Sequence, residues 1–202
     1  MFNLFLKGGP VMWPILIASL AAMTVVIERI IFLIREKRSR CPETVEKIFS
    51  EVEKGEIDGA VRMGEGCNDF VAVTLIYGLC HRHKAFSNAL LQVANKELER
   101  FSRGLPVLDT VITLAPLLGL LGTVTGMIQA FGLLGGSELE APTVITGGIA
   151  EALIATAYGL LTAIVALIPF NYLNARLDEA RHAIEDAATH LELLLSKQDK
   201  GL

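Results

Sequence analysis

Apolar residues run in three long stretches along the chain and recur at helical spacing between and after them. No Asp, Glu, Lys or Arg occurs over residues 8–27, 110–137 or 152–175, runs of 20, 28 and 24 residues. About 20 apolar residues in a helix cover the ~30 Å hydrocarbon core of a bilayer, so each run predicts a membrane-spanning helix. The expected organisation is an external N-terminus over 1–9, spans over 10–34, 105–135 and 144–174, a long polar segment over 35–104, an external turn over 136–143 and a tail over 175–202. The first run exceeds the apolar core of a secretory signal, about 7–15 residues. It ends in Glu28-Arg29 and then Arg35, Lys37, Arg38 and Arg40, so it is expected to persist as a mature helix.

The polar segments read as helical. Val45, Ile48, Phe49, Val52, Ile57, Ala60 and Val61 recur at close to the helical period over 42–63, and a second such stretch runs over 70–103. Gly55, Gly59, Gly64 and Gly66 punctuate the first and separate it from the second. In the tail, Leu173, Leu177, Ala180, Ile184, Ala187, Leu191 and Leu194 step alternately by four and three, an a/d seam. The third span is therefore expected to continue as a helix and pack on a neighbouring element. The fold class that follows is an all-α membrane protein, with three transmembrane helices and long cytoplasmic helical extensions.

Composition agrees. Of 202 residues, 52% are hydrophobic and 20% charged, with mean hydropathy +0.50. A net charge of -4 shows no global basic bias, so nucleic acid is not an expected partner. Lys and Arg are unevenly placed: twelve lie between Arg35 and Arg103, and none between Gly104 and Ala175. Such enrichment marks the cytoplasmic side of a membrane. The N-terminus with Lys7 alone is expected outside, as is the turn with Glu138 and Glu140. The tail with Arg176, Arg181, Lys197 and Lys200 is expected inside. Cys41, Cys67 and Cys80 all fall in the polar segment, without CxxC spacing, and are expected as reduced thiols.

Little here suggests an enzyme. The glycines of 119–126 belong to no GxxxxGK[ST] motif and follow no strand. His81, His83, His182 and His190 lack the company a metal site needs, and no nucleophile stands beside a base. No cofactor or metal is expected. The informative polar residues are those inside the spans. Thr123 and Thr125 lie in the second, and Glu151, Thr156 and Thr162 in the third. Counted from a turn centred near Leu139-Glu140, Thr123 and Thr156 are expected at nearly the same depth, with Glu151 roughly 7 Å nearer the outer surface. Membrane threonines either bond back to their own helix or line a path. A carboxyl within a span costs about 2.5 kcal/mol or more, so Glu151 either faces a cavity or sits near hydrated surroundings. Asp109 opens the second span, where a role toward the helix dipole and a role in transport are both open. Pro116, Pro142 and Pro169 are expected to loosen the helices or their ends, Pro142 by starting the third span. Two stripes of small residues complete the spans: Ala115, Gly119, Gly122 and Gly126 in one, Ala152, Ala155, Gly159, Ala163 and Ala166 in the other. Such stripes let backbones approach closely. They serve the hairpin itself, and their length leaves surface for self-association.

Residues 115–131, Ala-Pro-Leu-Leu-Gly-Leu-Leu-Gly-Thr-Val-Thr-Gly-Met-Ile-Gln-Ala-Phe, closely resemble the second-span signature of the MotA/TolQ/ExbB proton-channel family, in its ExbB/TolQ branch. Residues 149–164, with Pro169 and Asn171 behind them, resemble that branch's third-span signature. Gly8-Gly9-Pro10-Val11-Met12-Trp13-Pro14, with Glu28-Arg29 after the first span, is similar to its N-terminus. The resemblance implies a multi-pass subunit of a bacterial inner-membrane motor, assembled as a ring, a pentamer in this branch. The ring would surround a single-span partner resembling ExbD or TolR, whose membrane Asp carries the proton. It implies Thr123 and Thr156 as pore-facing threonines and Glu151 as a carboxylate near the outer mouth. Work would pass to a TonB- or TolA-like output protein. A smaller polar part and three spans set the chain apart from flagellar stator subunits. A passive scaffold for a single-span partner, without ion conduction, is the alternative, as is a gliding- or flagellar-type stator subunit.

Overall fold

The computed structural model describes residues 8–82, 86–132 and 141–199. Residues up to Lys7, His83, the turn residues Glu138, Leu139 and Glu140, and Lys200 lie outside the described residues. Those described form seven helices and no strand: α1 Met12–Ser39, α2 Pro42–Glu53, α3 Ile57–Gly64, α4 Phe70–Cys80, α5 Phe86–Ser102, α6 Leu105–Gly132 and α7 Ala141–Asp199. Three of these, α1, α6 and α7, are long and apolar enough to cross a membrane. The third apolar run and the tail seam form one helix, as the seam predicts. Pro116 and Pro169 both lie inside continuous helices.

The chain divides into two compact units. The first comprises α1 up to Arg29, α6, and α7 up to Tyr172. Its buried residues include Met12, Ile15, Ala18 and Ala22 on α1, Leu108, Ala115 and Ala130 on α6, and Ala152, Ala155 and Ala166 on α7. Many other large apolar side chains point outward, Ile17 being 67% and Ile168 71% exposed. An isolated copy in water would leave this apolar surface bare, so the first unit needs lipid or other helices around it. Gly104, with φ +84°, turns the chain into α6; a methyl group added there would meet Val25 of α1 at 2.8 Å.

The second unit holds the rest of α1, α2 to α5, and α7 from Leu173. Ile48 and Val52 of α2, Leu75 and Leu79 of α4, Phe101 of α5 and Ile184 and Leu191 of α7 share its core. Phe101 meets Phe32 and Phe70 edge-on, at centroid separations of 5.3 and 5.1 Å. The tail seam is thus satisfied within the chain itself.

Each of the two periodic stretches is carried by a pair of helices. Over 42–63 the chain breaks after Glu53, where Gly55, one of the punctuating glycines, adopts φ +85°. The 70–103 stretch is likewise two helices, α4 ending in a turn at His81. Hydrophobic period survives these breaks because both helices of each pair face the same core, so period alone hides the turn.

One buried acid ties this unit together. Asp69 is fully buried; its Oδ1 accepts from Val71 N at 2.9 Å, capping α4, and its Oδ2 accepts from Cys41 N at 2.8 Å. Arg40 Nε lies 3.3 Å from Oδ2, and its guanidinium stacks over Phe70. Truncation would remove the cap and leave Arg40 without its partner. Asp69→Ala is expected to cost about 3 kcal/mol, and Asp69→Asn, which keeps an acceptor, less. Thermal unfolding followed by circular dichroism checks the order; equal stability of Asp69→Ala and the parent would contradict it.

Candidate functional site

The site is built on the packing of α6 against α7. Small residues on one line of each helix bring the backbones together. A methyl group added at Gly119 would stand 3.0 Å from Thr156 Cα, at Gly122 2.6 Å from Ala155 Cβ, and at Gly126 3.0 Å from Ala152 Cβ. At Gly159 it would meet Ala115 O at 2.5 Å. Rising residue numbers on α6 meet falling numbers on α7, so the pair is antiparallel. Glycine and alanine are required because anything larger would separate the helices.

The five candidate ion-path residues fall relative to this line as helix geometry dictates. At 100° per residue, Thr123 and Thr156 each stand roughly 60–70° to the same rotational side of their packing line. On antiparallel helices equal offsets lie on one face of the pair, so Thr123 and Thr156 share a face, and Asp109 falls on that side too. Glu151 and Thr162 are offset roughly 50–70° the opposite way. The structure therefore divides the candidates between two flanks.

The Glu151 flank is the one the start of α1 covers. Gly9 has φ +74°, and a methyl group added there would stand 1.9 Å from Glu151 Oε1, so the carboxylate lies directly on the Gly9 backbone. Gly8 packs beside Met12 and Ile154, and Val11 reaches Gly122. Gly9 was missed as a site residue by sequence reasoning, although the Gly8-Gly9-Pro10 run held the signal: consecutive glycines before a helix mark a close approach.

On the other flank Thr156 Oγ1 donates across the pair to Gly119 O at 2.9 Å, and lies 3.3 Å from Ala152 O of its own helix. Thr123 Oγ1 donates to Leu120 O at 2.6 Å. The two acceptors, Gly119 O and Leu120 O, are carbonyls of successive residues, about 1.5 Å apart along α6. Thr123 also lines an open groove of about 700 Å³ with Val124, Met127, Ile128, Phe131 and Gly132. Thr125 and Thr162 bond back to Leu121 O and Tyr158 O, each within its own helix. Asp109 is exposed and is the fifth residue of α6, one place beyond the first turn.

Two partly exposed hydroxyls on an apolar, uncovered face can solvate a proton-bearing carboxyl or a small cation brought there by another helix. No group of three or more His, Cys, Asp or Glu side chains that could hold a metal exists among the described residues.

Comparison with known proteins places the chain in a family. The family model described as the MotA/TolQ/ExbB proton channel family matches residues 69–186, from the start of α4 well into α7. The chain is 37% identical over 201 residues to the biopolymer transport protein ExbB-like 1 of Synechocystis sp., covering 94% of this chain and 77% of that one. It is 30% identical to ExbB-like 3 of the same organism over 94% and 92% of the two chains. Against the Tol-Pal system protein TolQ of Haemophilus influenzae it is 35% identical over 118 residues, 58% of this chain and 52% of that one.

Proposed function

Because the chain belongs to the MotA/TolQ/ExbB proton channel family, in its ExbB/TolQ branch, we propose that it is the ring-forming subunit of a proton-driven motor in a bacterial inner membrane. Several copies, five in this reading, enclose a single-span partner resembling ExbD or TolR. A membrane Asp on that partner carries the proton past each subunit. The work passes to a TonB- or TolA-like output protein, in biopolymer transport or envelope energisation.

The observation that supports this most is the shared face of Thr123 and Thr156. One flank of the α6–α7 pair is covered by the chain's own N-terminal segment, whereas on the other Thr123 lines an open apolar groove and Thr156 bridges to Gly119 O. Three helices cannot enclose a path alone, so the path forms between this flank and the partner helix. Hydroxyls bonded to successive carbonyls of α6 give a passing carboxyl two neighbouring hydrogen-bonding partners. Glu151, on the covered flank, acts by attracting cations to the outer end of the path. The scaffold alternative draws support from the hydroxyls themselves, each of which already has a backbone acceptor.

In this reading the N-terminus is outside, and the second unit and the C-terminus are cytoplasmic. The exposed Cys80 reports on that. A membrane-impermeant maleimide is expected to label Cys80 in inverted vesicles and not in intact spheroplasts; labelling in spheroplasts would reverse the topology. For the function itself, the chain co-expressed with a single-span protein carrying one membrane Asp is expected to purify as one complex in mild detergent. That complex supports gradient-dependent work, and substituting Asn for the partner's Asp abolishes it. A complex that forms but supports no gradient-dependent work would leave the scaffold, and work that persists with Asn would overturn proton carriage by the partner's Asp.

A further inference from the structure

Cys41 and Cys67 lie 26 residues apart in sequence, yet the second unit brings them together. Cys41 is the residue before α2, and Cys67 lies in the connection from α3 to α4. Asp69, two residues beyond Cys67, accepts the Cys41 N–H at 2.8 Å and pairs with Arg40 at 3.3 Å, so a buried carboxylate anchors the two segments side by side. Gly66, with φ +89°, forms the turn that delivers Cys67, whose N–H donates to Gly64 O at 3.1 Å. Cys41 Sγ donates to Ser39 O at 3.6 Å, and the neighbouring Cys67 thiol is the largest influence holding the Cys41 thiol above its ordinary range. Both residues are partly exposed, and Cys80 is exposed on its own. Nothing in the proton-path reading uses this pair.

We propose that Cys41 and Cys67 are a reversible thiol–disulfide site, oxidised by a peroxide and restored by a dithiol. Two features set the division of labour. The neighbouring Cys67 thiol, partial burial and the carboxylates of Asp69 and Glu43 push the Cys41 thiol up, which disfavours its thiolate. The thiolate is the species that attacks a peroxide, so Cys67 is the attacking residue and Cys41 the resolving one. The Cys67 thiolate attacks one peroxide oxygen, the O–O bond breaks, and with one proton the products are a Cys67 sulfenic acid and water. The Cys41 sulfur then attacks the sulfenic sulfur, forming the S–S bond. The sulfenic oxygen leaves as a second water, carrying the Cys41 proton. In sum two thiols lose two electrons and two hydrogens, and one hydrogen peroxide becomes two waters. The bond staples the start of α2 to the start of α4, closing a loop that contains α2 and α3.

The test uses the full chain in isolated membranes, treated with hydrogen peroxide or with dithiothreitol, quenched in acid, alkylated and analysed by peptide mass. Peroxide is expected to lower alkylation of Cys41 and Cys67 in parallel by about tenfold, with Cys80 largely unaffected. A linked peptide lighter by two hydrogens appears, and dithiothreitol reverses the change. In Cys41→Ser, Cys67 is expected to be trapped as a sulfenic acid that dimedone labels; in Cys67→Ser, Cys41 stays alkylatable. Persistent alkylation of both residues in the parent, a linkage through Cys80, or loss of Cys41 alkylation in Cys67→Ser to the parent's extent would each overturn the proposal.

Discussion

Gly159→Ala is expected to destabilise the protein by about 1–2 kcal/mol, and Gly159→Leu to abolish accumulation of folded chain. The added methyl would lie 2.5 Å from Ala115 O and 3.1 Å from Gly119 Cα. Both are backbone atoms of α6, so no rotamer change relieves the clash and the two helices must part. Overpacking of this kind costs roughly 1–3 kcal/mol, and the better helix propensity of Ala returns up to about 1 kcal/mol. Gly147 is the internal control, since a methyl group there meets nothing within 4 Å. Gly147→Ala should therefore be neutral or mildly stabilising. Thermal aggregation in detergent, read by size exclusion, is expected to place Gly159→Ala several degrees below the parent, at about 2–4 °C per kcal/mol for a chain of this size. Equal midpoints for the two variants would mean that the contact between α6 and α7 is not close.

The second large effect concerns ion-driven work. Thr156→Val removes the hydroxyl that bridges to Gly119 O and keeps the shape of the side chain. Interhelical hydrogen bonds of this kind in membranes are worth only about 0.6 kcal/mol on average, so folding and assembly should survive. A proton-bearing carboxyl passing through a low-dielectric site would lose a partner worth roughly 1–3 kcal/mol, which slows passage ten- to hundredfold. Thr123→Val is expected to act in the same way, and the double variant to be the slowest. Glu151→Gln should be milder, because that carboxylate lies on the flank covered by Gly9 and acts through local cation concentration. Gradient-dependent work at matched levels of complex checks this order. A double variant that works normally would assign the threonines to packing alone.

The spans were legible because a bilayer imposes a single composition over some twenty residues, and the charge-free runs around Ala18, Gly119 and Ala163 meet it. The tail seam was legible because Ala180, Ile184 and Leu191 repeat on one line, and their partners are in the same chain. Buried charge was not. Asp69, Glu36 and Glu97 look like solvated residues in a string of letters, yet all three are buried, Glu36 with an oxygen that has no hydrogen-bond partner among the described residues. Their burial depends on which helices meet, and no local period carries that. The candidate site was half legible. Residue type singled out Thr123, Thr156 and Glu151, but their division between two flanks follows from which residues of α6 and α7 pair, Gly119 with Thr156 and Gly122 with Ala155. The contact of Cys41 with Cys67 was hidden for the same reason, with two helices between them.

In this reading, protons pass along the threonine flank when a partner helix lies on it. The direct measurement is proton uptake into liposomes holding this chain with a single-span partner bearing a membrane Asp, followed by an enclosed pH dye after an imposed gradient. Uptake is expected only when both proteins are present, falling ten- to hundredfold with Thr123→Val and Thr156→Val together. An intact complex that passes no protons, or one whose uptake is the same in the double variant, would overturn the threonine path.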